Sequence, residues 1–214
     1  MDEMLQQVGV VVREVRSLEH EGRPARVVVA SRIYDTTVED LWNALTDPER
    51  IPRWFLPISG DLHLGGRYQF QGNAGGTITA CEPPRLLGAT WEGPGGPTSW
   101  VKVELEPEAG GRARLTLEHM AHVDGDFWDR FGPGAVGVGW DGALRGLGLH
   151  IATGAAVDPA NAMAWAMSED GKAFNAACSE AWGGAAIAAG EDPAKATRAA
   201  ARTTAFYTGQ PVPD

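Results

Sequence analysis

Cysteine, lysine and long apolar runs are all scarce in this chain, and each shortage narrows what it can be. Its two cysteines, Cys81 and Cys178, are too few and too far apart for a disulfide framework or a zinc site, so they read as buried thiols. No stretch approaches the roughly eighteen apolar residues of a membrane span, and the chain does not open with the charged, apolar and small-residue succession of a secretory signal. Both absences point to a cytoplasmic protein without membrane insertion. Three lysines stand against fifteen arginines, and alanine is abundant, a composition associated with GC-rich bacterial genomes. Acidic residues outnumber basic ones 28 to 18, and the net charge of -10 argues against a nucleic-acid backbone or an anionic membrane as partner. Small molecules and proteins remain.

The 214 residues, 43% of them apolar, are enough to bury a proper core. The β-branched runs "VGVVVREVRS" and "RVVVASRIY", joined by a turn at Gly22 and Pro24, read as two successive strands between residues 8 and 34. The period then changes. Val38, Leu41, Trp42 and Leu45 fall at helical spacing, Thr37 stands at the N-cap with Asp40 in capping-box position, and Asp47-Pro48 stops that helix and opens another.

From Gly60 onward, alternating runs of five to nine residues are each closed by Gly, Pro, Asp or Asn, the pattern of an antiparallel meander. In "RARLTLEHMA", Leu115 and Leu117 alternate with Thr116 and Glu118, so the next residue on the leucine face is the ionisable His119. Beyond the meander, Trp140, Leu144, Leu147 and Ile151 form the large-residue stripe of a helix packed on a sheet. Another side of that helix carries Ala135, Gly139, Gly142 and Gly146. Each glycine inside a helix costs about 0.5 to 1 kcal/mol against alanine, so the stripe calls for a close backbone neighbour or for space beside it.

Residues 155 to 214 are alanine-rich. Ser168 caps a helix with Glu169 and Asp170 in its first turn and Phe174, Cys178 and Trp182 at steps of four; Gly190 ends it, and Asp192-Pro193 opens another that runs to about Phe206. The aromatic and methionine residues of this tail require a surface to dock on: the sheet domain, a second subunit, or both.

No motif announces catalysis. Gly132-Pro133-Gly134-Ala135-Val136-Gly137 matches the dinucleotide fingerprint, but the strand that must precede it is missing, and a helix-opening turn accounts for it better, so no cofactor is expected. His119, His122, Asp124 and Asp126 suggest a metal only superficially, since His119 and His122 point to opposite faces of a strand. There is no Gly-x-Ser-x-Gly elbow and no cysteine in a recognisable catalytic context. What remains is a set of aromatic and polar residues around a sheet, Trp54, Tyr68, Trp91, Trp100, His119, Trp128, Trp140 and His150, which suits a small-molecule pocket and suits core packing equally.

The words "YDTTVEDLWNALTDPERIPRWF", "GDLHLGGRY", "GGTITACEPPRLLGATWE", "RLTLEHMA" and "GVGWDGALRGLG", in this order and spacing over about residues 25 to 153, resemble the START-like, polyketide-cyclase-like superfamily. Within it they resemble the bacterial branch similar to the C-terminal domain of the heat-shock-protein-90 ATPase activator. The resemblance implies an α+β helix-grip fold, a curved antiparallel sheet around a long C-terminal helix with a cavity between them. Members bind hydrophobic molecules, a few catalyse cyclisation or hydrolysis, and the eukaryotic activators bind a chaperone. The branch has no shared catalytic motif to transfer. An extra N-terminal strand at 8–18 and a helical extension at 154–214 depart from the plain domain at 1–153.

The expectation is a binding protein for a small hydrophobic or amphipathic ligand, with Trp54, Tyr68, Trp91, Trp100, His119, Gly139, Trp140, Gly142 and Gly146 as cavity candidates and no metal. The alternatives are a protein-interaction module, resembling a chaperone co-factor or a homodimer through the C-terminal helices, and a cyclase or hydrolase using His119, Glu118 or Asp141 as acid or base.

Overall fold

The computed structural model describes residues 2–123 and 126–213. Eight strands form one antiparallel sheet in the order β1-β2-β8-β7-β6-β5-β4-β3. They are β1 (Val12–His20), β2 (Arg23–Tyr34), β3 (Ile58–Gly60), β4 (Arg67–Phe70), β5 (Gly75–Glu82), β6 (Leu86–Glu92), β7 (Thr98–Glu108) and β8 (Arg112–His122). The helices are α1 (Asp2–Gly9), α2 (Val38–Thr46), α3 (Asp126–Phe131), α4 (Gly134–Thr153), α5 (Pro159–Met167), α6 (Glu169–Ala188) and α7 (Pro193–Tyr207), with one 3-10 turn at Ile51–Arg53. This is the helix-grip α+β fold expected from the sequence.

Local chemistry sets most of these boundaries. Thr37, Ser168 and Asp192 each accept a backbone N–H three residues on, from Asp40, Gly171 and Lys195, and so satisfy donors that a helix start leaves unpaired. Gly132 at φ 61° turns the chain into Pro133 and the start of α4, the helix-opening turn read from the glycine pattern. The N-terminus differs from expectation. Residues 2–9 are helix and the strand begins at Val12 rather than residue 8, because Met4-Leu5-Gln6-Gln7 are good helix formers and the β-branched run starts in earnest at Val10.

By contacts the chain forms two compact units, each built from separated stretches. Residues 1–30, 122–142 and 159–214 make one unit, and residues 31–121 with 143–158 make the other. In the first unit α6 packs on α1 and β1, and α7 packs on α6 and α3. The tail thus covers its apolar face with the N-terminal strand, and Phe174, Cys178 and Trp182, the stripe at steps of four, are all buried.

In the second unit the inward face of β8 carries Ala113, Leu115, Leu117 and His119, all buried. Its partners in register on β7 are Pro107, Leu105, Val103 and Val101. Leu41 and Ala44 of α2, Ile51, and Leu144 and Leu147 of α4 complete the buried apolar set. The Tyr34 hydroxyl donates to the Leu144 carbonyl at 3.1 Å, which ties β2 to the helix.

Candidate functional site

Six rings of the second unit make one continuous cluster. Trp54 stacks on Phe55 at 5.6 Å between centroids, Phe55 meets the edge of Phe70 at 4.9 Å, and Phe70 contacts Tyr68 at 5.5 Å and Trp91 at 5.8 Å. Trp91 in turn lies edge-on to His119 at 6.2 Å. Tyr68 and His119 are buried, whereas Trp54, Phe55, Phe70 and Trp91 are half-buried and keep apolar surface open.

The backbone fixes these rings in place. The Trp54 indole N–H donates to the Ala44 carbonyl at 2.8 Å, holding the ring against α2. Tyr68 faces Gly76 across the strand pair, and its hydroxyl donates to the Thr90 carbonyl on the next strand at 2.7 Å. A Cβ at position 76 would collide with Thr90, so glycine there permits the close strand approach.

The polar end of the cluster is a short relay. The Ser99 hydroxyl donates to the Trp91 carbonyl at 2.9 Å, and His119 Nε2 lies 2.9 Å from the same oxygen. Because the single hydroxyl proton is committed to Trp91, the ring must donate from Nε2, which assigns that nitrogen the proton in the neutral tautomer. Burial pushes the His119 pKa down from 6.5 to about 4, so the ring is uncharged at neutral pH. The histidine on the leucine face is therefore a satisfied, neutral polar group beside an indole.

The structure brings together Trp54, Tyr68, Trp91 and His119 of the residues expected to line a cavity. Trp100 stands on the opposite face of β7 from Ser99, in register with Met120. Gly146 admits the Trp54 carbonyl, which would lie 2.7 Å from a Cβ, so close packing explains it. Gly139, Trp140 and Gly142 belong to the first unit. There a Cβ on Gly139 would meet the Tyr207 hydroxyl at 3.3 Å, while Gly142 is exposed with nothing within 4 Å. Trp128 also lies in the first unit, 5.8 Å from the Arg26 guanidinium. His150 is buried, accepting from Arg50 Nε at 3.2 Å and donating from Nδ1 to the Ala155 carbonyl at 2.8 Å.

The acid–base candidates are each engaged elsewhere. Glu118 pairs with Lys102 at 2.9 Å on the outer face of the sheet. Asp141 lies in the first unit, 1% exposed, and takes a two-pronged ion pair from Arg13 at 2.9 and 3.2 Å as well as the Trp182 indole N–H at 2.9 Å. Burial pushes its carboxyl up, and Arg13 and Trp182 pull it back toward the ionised form. No group of three or more potential metal ligands occurs among the described residues. Asp124 lies outside the described residues, as does the side chain of Asp126. Sequence reasoning missed Ser99 and Arg13. Ser99 had a signal, since "TSWVKVELE" alternates and places Ser99 with Val101, Val103 and Leu105.

Residues 35–151 match the family model described as Activator of Hsp90 ATPase homolog 1-like protein. The chain belongs to this family. The crystal structure of CalU16 from Micromonospora echinospora is similar at 33% identity, covering 83% of this chain and 98% of that one with a TM-score of 0.62. The solution structure of CalU16 gives 33% identity, 84% and 96% coverage and a TM-score of 0.69. Protein MLL2253 from Mesorhizobium loti is 26% identical over 58% of this chain and 95% of its own, with a TM-score of 0.51. No curated protein matches the chain. The family match contains the whole aromatic cluster and ends before α5. No described helix is long and apolar enough to cross a membrane.

Proposed function

We propose that this member of the Activator of Hsp90 ATPase homolog 1-like family binds a small hydrophobic or amphipathic molecule on the cluster formed by Trp54, Phe55, Phe70 and Trp91. One observation carries the reading: four half-buried aromatic rings run in unbroken contact to a buried neutral histidine. Apolar walls with a few fixed polar groups are the usual composition of a small-molecule site. The histidine supplies a polar surface without a charge, which suits an uncharged ligand end better than a carboxylate.

The test is a fluorescence titration with N-phenyl-1-naphthylamine, a neutral aromatic probe. The native protein should bind it saturably with quenching of tryptophan emission. Phe70→Ala should weaken binding by roughly tenfold or more, the loss expected when one aromatic anchor is removed. Native affinity retained in both Phe70→Ala and Trp91→Ala would refute the assignment.

A further inference from the structure

We propose that β1 is the contact edge of a homodimer, where it runs antiparallel to β1 of a second copy in the register that sets Val12 against Leu18 and Glu14 against Arg16. The two ends of the strand order are built differently. At one end β3 is three residues long and follows Pro57, which makes it a poor template for a further strand. At the other end β1 runs nine residues without a proline or a lysine, the residues that commonly guard an open edge.

The two faces of β1 are sorted. Arg13 and the buried Val15 turn toward the packed side, where Arg13 reaches Asp141 of α4 and approaches Cys178 of α6. Val12, Glu14, Arg16 and Leu18 alternate with them and are exposed, Val12 by 64% and Leu18 by 42%. On this outer face Arg16 donates to the Glu14 carboxylate at 2.8 and 2.9 Å. Residues 12–19 hold Arg13 and Arg16 against Glu14 and Glu19, so the edge is balanced in sign although the chain as a whole is acidic. Charges more than about 8 Å away are largely screened at physiological ionic strength, which leaves the pairing of two edges to these local groups.

The turn into β2 decides which residues offer their backbone to a partner. Glu21 and Gly22, at φ 51° and 73°, form a two-residue hairpin turn, and the Arg26 guanidinium donates to the Ser17 hydroxyl directly across the hairpin. In this register Val12, Glu14, Arg16, Leu18 and His20 bond to β2, and the N–H and C=O groups of Arg13, Val15, Ser17 and Glu19 point to the open edge. Two copies related by a two-fold axis must therefore exchange hydrogen bonds among this second set. Centring the axis on Val15 pairs Arg13 with Ser17 through the backbone. Between those bonds, where side chains come closest, it places Val12 against Leu18 and Glu14 against Arg16, so apolar meets apolar and each charge meets its opposite. The neighbouring registers, centred on Glu14 or Arg16, set like charges face to face.

The experiment is sedimentation velocity of the full chain across the micromolar range. The native protein should associate to twice its mass of 22.7 kDa. Glu14→Arg and Arg16→Glu each put a single sign on both charged rungs and should raise the dimer dissociation constant by roughly tenfold or more. Mixed in equal amounts, the two variants face each other with opposite signs and should form a heterodimer of native affinity. Both positions are exposed, and an unchanged circular dichroism spectrum confirms that the fold persists. A native chain that stays monomeric at every concentration overturns the proposal. So does a dimer that both variants retain, which places the contact elsewhere, or a mixture of the variants that remains monomeric, which rules out this register.

Discussion

Arg13 and Asp141 stand 128 positions apart and meet as a two-pronged ion pair with almost no exposure, the carboxylate also taking the Trp182 indole N–H. The remaining Arg13 nitrogen, Nη1, donates to the Val8 and Val11 carbonyls at 3.0 and 2.9 Å. One guanidinium thereby ties β1, the chain leaving α1, and Asp141 of α4 to the stripe of α6. A Cβ at Gly137 would run into the Trp182 ring, so the glycine one turn before Asp141 leaves room for that indole.

Arg13→Ala should therefore destabilise the protein by about 3 to 5 kcal/mol, the usual consequence of leaving one partner of a buried pair uncompensated. Urea unfolding measures it. Arg13→Met combined with Asp141→Leu should recover only part of the loss, because it removes both buried charges but leaves the Trp182 indole N–H and the Val8 and Val11 carbonyls without these partners. A cost near zero for Arg13→Ala would contradict the geometry.

His119 gives a pH dependence of defined sign. Its folded pKa is about 4 against 6.5 in the unfolded chain, so between these values the unfolded state binds more protons. Stability should be full above pH 6.5 and decline as pH falls toward 4, by an amount of order 3 kcal/mol at most. His119→Gln removes the titrating group, and the difference between its pH–stability curve and that of the native protein isolates the histidine from the carboxylates. Parallel curves would show that the ring is not buried in its neutral form.

Ser99→Ala should cost about 1 to 3 kcal/mol, because it strips the acceptor from His119 Nε2 and the donor from the Trp91 carbonyl at once. Ser99→Thr keeps the hydroxyl and should lose less. Thermal unfolding of both variants distinguishes a working hydrogen-bond relay from simple proximity.

Two glycines of α4 should respond in opposite directions. Gly142→Ala meets open space and should stabilise the helix by about 0.5 to 1 kcal/mol. Gly146→Ala would press on the Trp54 carbonyl, 2.7 Å from the new Cβ, and should destabilise by about 1 to 3 kcal/mol. Gly146→Ala should also weaken naphthylamine binding, since Trp54 anchors one end of the cluster. Equal effects of the two substitutions would contradict the placement.

What could be read from the sequence was whatever its neighbours decide. Thr37, Ser168 and Asp192 act within three residues, and the alternation of Leu115, Leu117 and His119 needs only the period of a strand. Trp100 shares its alternation with Lys102 and Glu104, on the face of β7 opposite Ser99. The Arg13–Asp141 pair had no local signature: an arginine in an exposed-looking strand and an aspartate inside a glycine-rich helix reveal their bond only once the chain is folded. The glycine stripe of α4 looked uniform in sequence, whereas Gly139, Gly142 and Gly146 meet a hydroxyl, open space and a carbonyl in turn.

The most direct test of a ligand site at the aromatic cluster is an NMR titration of the full chain with N-phenyl-1-naphthylamine, following the tryptophan indole and histidine ring signals. The account predicts saturable shifts of the Trp54, Trp91 and His119 resonances with one affinity, while the Trp182 indole, held by Asp141, stays fixed. Shifts confined to Trp182, Trp128 or Trp100, or none that saturate, would contradict it.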